Sequence, residues 1–61
     1  MNASTFKQKR VSRLMTQREL SIESGVDEPV IDSFEKGLIK PDKEVLTKLL
    51  YALYSYKPTL G

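Results

Sequence analysis

The sequence predicts an all-α domain of four helices. Three observations lead there. Helix-start residues precede apolar positions three and four apart, most clearly at Thr16 and Asp42. Gly25 and Gly37 stand where two of these periodic stretches stop. No stretch alternates cleanly between apolar and polar residues, so strand signals are poor. At 61 residues, one small domain spanning 1–61 is the ceiling, and its core is marginal without self-association.

The first helix is expected from Ala3 or Ser4 to Arg13, capped by Ser4 or Thr5, with Phe6, Arg10 and Val11 facing inward. The second opens at Thr16, with Glu19 three residues on to complete a capping box. Met15 and Leu20 flank that start as a hydrophobic staple. It ends near Ser24, where Gly25 supplies a left-handed turn. Asp27 caps the third helix, and Pro29 falls in its first turn, where a missing N–H costs little. Ile31 and Phe34 point to the core, and Gly37 ends the helix. Asp42 caps the fourth, which runs to about Tyr54 with Val45, Leu46, Leu49, Leu50, Ala52 and Leu53 at helical spacing. The tail 55–61 is too short and Pro-interrupted for a further full helix.

Composition narrows the chemistry. Without Cys or His there are no disulfides, no thiolate or imidazole metal ligands and no thiol nucleophile. The lack of Cys suits a cytosolic protein. No apolar run approaches the roughly 18 residues of a membrane span, and the N-terminus lacks the apolar core of a signal peptide. There is no Gly-rich phosphate loop or paired-acid metal motif, and the serines have no base to activate them. An enzyme, a cofactor and a metal are therefore not expected.

Charge is more informative in its distribution than in its sum of +2. Residues 1–18 hold Lys7, Lys9, Arg10, Arg13 and Arg18 and no acid. Residues 27–36 hold Asp27, Glu28, Asp32 and Glu35 against the single base Lys36. That asymmetry suggests separate binding faces. Tyr51, Tyr54 and Tyr56 resemble an aromatic patch, for which core packing or a dimer seam is a better reading than base stacking.

Two short helices joined by a Gly turn make a helix-turn-helix unit, at about residues 17–36. The run Met15-Thr16-Gln17-Arg18-Glu19-Leu20, then Gly25-Val26, Ile31, Phe34-Glu35-Lys36-Gly37 and Lys40-Pro41, resembles the lambdoid repressor and Cro family of phage-type regulators. The match covers about residues 5–54. The resemblance implies a compact lambda-repressor-like domain. The family carries a fifth helix that this sequence lacks, through truncation or because a second chain completes the surface. It further implies that Gln17 contacts DNA and that Arg10 pairs with Glu35 as part of the scaffold. Cytoplasm of a bacterial host is the matching location.

The third helix departs from that family's DNA readers. Its early positions, Asp27, Glu28, Pro29, Val30 and Ser33, lack the usual Gln, Arg, Lys or Asn, and the following loop begins Leu38-Ile39. DNA affinity comes mostly from neutralising phosphates, which acids oppose. An apolar centre with a charged rim is how protein interfaces are built. The balance favours a modulator or antirepressor, docking Ile22, Asp27, Glu28, Pro29, Val30, Asp32, Ser33 and Leu38 on the basic DNA-reading surface of a partner repressor. The alternative is a Cro-like homodimer binding operator DNA directly through Gln17, Arg18, Glu28, Ser33, Lys36 and Lys40.

Overall fold

Helices form at α1 Ala3–Ser12, α2 Gln17–Ser24, α3 Glu28–Glu35 and α4 Lys43–Ser55. The computed structural model describes residues 2–56, and no strand occurs among them. The expectation of an all-α domain with four helices is met. The Pro-interrupted tail beyond residue 56 lies outside the described residues.

Local signals explain the boundaries. Thr16 accepts from the Glu19 N–H at 3.0 Å, while the Glu19 carboxylate accepts from the Thr16 N–H at 3.0 Å, closing the predicted capping box. Gly25 closes α2 with φ +76°, the left-handed conformation for which glycine is suited. Asp42 accepts from the Val45 N–H at 2.9 Å and starts α4.

Three expectations change. Asn2, not Ser4 or Thr5, caps α1, accepting from the Thr5 N–H at 2.8 Å. Val11 faces solvent, 53% exposed, because the α1 stripe that reaches the core is Phe6 and Arg10, with Ala3 packed partly buried beside it. Asp27 stands at the N-cap position of α3, but its side chain makes no cap hydrogen bond.

The core joins all four helices. Phe6 from α1, Met15 and Leu20 around the start of α2, Val26, Ile31 and Phe34 around α3, and Leu49, Ala52 and Leu53 from α4 are buried together. The Phe6 and Phe34 rings meet at 5.0 Å between centroids, tilted by 47°, a geometry favoured by their quadrupoles. Met15 and Leu20 are both buried, as the staple requires. No helix among the described residues is long and apolar enough to cross a membrane.

Candidate nucleic-acid interface

The helix-turn-helix is held by a polar network around Glu35. Arg10 reaches across from α1, with Nε donating to Glu35 Oε2 at 2.7 Å and Nη2 to Oε1 at 2.9 Å. Its third donor, Nη1, binds the Met15 carbonyl at 2.7 Å. Arg10 is 8% exposed and the Glu35 side chain 2%. The planar guanidinium fork matches the carboxylate in two places and leaves neither charge unpaired. The pair implied by the family resemblance is present.

Gln17 links the start of α2 to the same network. Its amide nitrogen donates to Glu35 Oε1 at 3.1 Å and to Asp32 Oδ1 at 3.2 Å. The two N–H groups of Gln17 are thus directed at two carboxylates, and its Oε1 is the acceptor left over. Asp32 also takes Lys36 Nζ at 2.8 Å, one turn along α3. The Lys36 hydrogen bond, then that of Gln17, holds the Asp32 carboxyl below its ordinary range; Lys7 on α1 adds a weaker attraction. The bond from Asp32 raises the Lys36 ammonium in turn.

These contacts sort the acids of the 27–36 segment. Glu35 belongs to the scaffold, and Asp32 is neutralised within the molecule. Asp27 and Glu28 stay exposed with no cation within ion-pair distance among the described residues. A shallow groove between α2 and α3 is lined by Gln17, Glu28, Pro29 and Asp32.

The remaining predicted residues scatter. Arg18, Lys36 and Lys40 are exposed, and Ser33 is half-buried on α3. Ile22 and Leu38 are 71% and 72% exposed. Val30, expected on the docking surface, packs half-buried against the core. No cluster of acids that could hold a metal occurs among the described residues.

Sequence reasoning missed two features here. Lys7 contributes charge near Asp32, a placement signalled only by its position one turn before the inward Arg10. Tyr56 donates to Glu19 Oε2 at 2.8 Å, tying the end of α4 to the start of α2 across 37 residues, a pairing that no local signal announces.

A helix-turn-helix family model matches residues 6–53. The chain belongs to the XRE-like helix-turn-helix family. The match spans α1 to nearly the end of α4, and with it the whole Arg10–Glu35–Gln17 network. The protein is accordingly a DNA-binding transcription regulator. No curated protein and no solved structure matches the chain.

Proposed function

We propose that the protein regulates a phage-type genetic switch by binding operator DNA directly, with α3 in the major groove and the start of α2 over the backbone. The observation that carries this reading is the internal neutralisation of α3. Glu35 is taken by Arg10, and Asp32 by Lys36 and Gln17. Of the acids on α3 and at its start only Asp27 and Glu28 remain unpaired, and the exposed cations Arg18 and Lys40 are available to offset them before phosphate.

Roles follow from the donors and acceptors left free. Arg18 and Lys40 grip phosphates and set the register, and Lys36 joins them only by releasing Asp32. Glu28 and the Oε1 of Gln17 are acceptors suited to the amino groups of cytosine or adenine, and the Ser33 hydroxyl serves either role. Gln17 reaches a phosphate only by releasing one carboxylate. Copies act in pairs on a palindromic operator, in the manner of Cro, within the bacterial cytoplasm.

Titration with duplex DNA over a range of salt tests the reading. Tight binding at low salt with a steep salt slope is expected, and Arg18→Ala or Lys40→Ala each lowers that slope by about one. Absence of binding at low salt overturns it.

One observation favours the modulator as a second reading. Asp27 makes no cap bond, so its charge has no local duty, while exposed Ile22 lies on the helix-turn-helix and exposed Leu38 just beyond it. Here the acidic surface with Glu28, Pro29 and Ser33 docks on the basic DNA-reading face of a partner repressor and occludes it. Asp27→Lys with Glu28→Lys separates the two. In the modulator the change abolishes inhibition of the partner repressor, whereas in an operator binder it strengthens non-specific duplex binding.

A further inference from the structure

The outward side of α4 and the end of α1 form a second apolar face that neither reading of α3 uses. Tyr51 and Tyr54 are 75% and 51% exposed, where core packing was one expectation from the sequence. They line a shallow groove together with Leu50. Lys9 and Arg13 of α1 sit over the Tyr54 ring, at 5.8 and 4.8 Å from its centroid. Neither cation has a carboxylate within ion-pair distance among the described residues. The face is therefore aromatic at its centre and basic at its edge.

Leu14 follows Arg13 in the chain and is a further exposed apolar residue. Its φ is +59°, a left-handed conformation that L side chains rarely adopt. Its side chain is nevertheless 69% exposed, so burial within the chain does not offset the strain. Its N–H binds the Val11 carbonyl at 2.9 Å, and Val11 is itself exposed. The left-handed turn at Leu14 closes α1, where the Met15 N–H reaches back to the Arg10 carbonyl at 3.3 Å and Met15 enters the core.

We propose that this face, with Tyr51 and Tyr54 at its centre and Lys9 and Arg13 at its edge, docks an acidic amphipathic helix of a partner protein. A groove along a helix accepts the apolar ridge of another helix, and the uncompensated cations select glutamate or aspartate on its flanks. A second copy of this chain fits less well. A two-fold contact would bring the Lys9 and Arg13 charges of both copies together.

The test uses the full chain, isotope-labelled, titrated with a synthetic helical peptide that carries a leucine stripe and glutamates elsewhere. Saturable shifts centred on Tyr51 and Tyr54 are expected, weaker at high salt and about tenfold weaker in affinity for Tyr51→Ala. Tyr51 is 75% exposed, so that variant stays folded and its duplex binding is unchanged. Lys9→Glu with Arg13→Glu should transfer the preference to a lysine-bearing peptide. The proposal is overturned if these residues do not shift, or if a scrambled peptide of the same composition binds equally. It is also overturned if the same shifts arise from protein concentration alone, which assigns the face to a second copy, or from duplex DNA.

Discussion

Arg10 is the residue on which the site most depends. Its three donors are spent on Glu35 and the Met15 carbonyl, so the guanidinium fixes where α1, α2 and α3 meet. A buried pair adds little net stability compared with apolar packing, but removing one partner strands the other charge. Glu35→Leu should therefore cost about 3–5 kcal/mol, enough to unfold much of so small a domain, and adding Arg10→Met should recover most of the loss. Urea titration of the single and double variants checks this. Leu14 predicts the opposite sign. Leu14→Gly removes left-handed strain at an exposed site and should stabilise by up to about 1 kcal/mol in the same assay.

Among the elements, α2 is the best specified locally and also the one tied to the most distant part of the chain. Its capping box is complete, and Thr16→Ala should cost about 1 kcal/mol by thermal melting. Glu19 serves both ends of the arrangement. The Thr16 backbone N–H, the Tyr56 hydroxyl and the Thr16 hydroxyl all favour its carboxylate, and they hold it below its ordinary range. A lowered folded value means that the stabilisation is present above the ordinary carboxylate range and fades as pH falls through the lower folded value. Asp32, held down by Lys36 and Gln17, acts in the same direction. At the alkaline end, Tyr56 is raised by its bond to Glu19 and Lys36 by its bond to Asp32. Their contributions hold below the ordinary values for tyrosine and lysine and are lost as pH rises through the higher folded ones. Melting temperature against pH should show both limbs, and Glu19→Gln should flatten the acid limb and part of the alkaline one.

At the scale of the molecule, the formal +2 charge is less useful than its partition. The base-rich residues 1–18 supply Arg10 to the core and Lys7 to the α3 side, while Lys9 and Arg13 lie over Tyr54. One basic segment thus serves the scaffold, the DNA side and a separate face. Raising salt should weaken duplex binding steeply, with little effect on the buried Arg10–Glu35 pair, which is shielded from ions. Fold stability and DNA affinity measured in the same salt series would separate the two responses.

Much of the fold was legible in the sequence because its determinants are short-range. Thr16 and Glu19 are three residues apart, Gly25 needs only its own φ, and the α4 stripe repeats within a few turns. The family motif likewise carried the Arg10–Glu35 pair, which spacing alone could not have linked across 25 residues. The charge of α3 was not legible in the same way. Counted along the chain, it is a run of four acids against one base. In three dimensions two of those acids are occupied by Arg10, Gln17 and Lys36, Val30 packs half-buried against the core, and Asp27 lacks its expected capping bond. By itself, then, the sequence determined a four-helix, helix-turn-helix regulator. Only the tertiary structure decided which acids of α3 still face outward, because neutralisation depends on which side chains from distant segments come within hydrogen-bond reach.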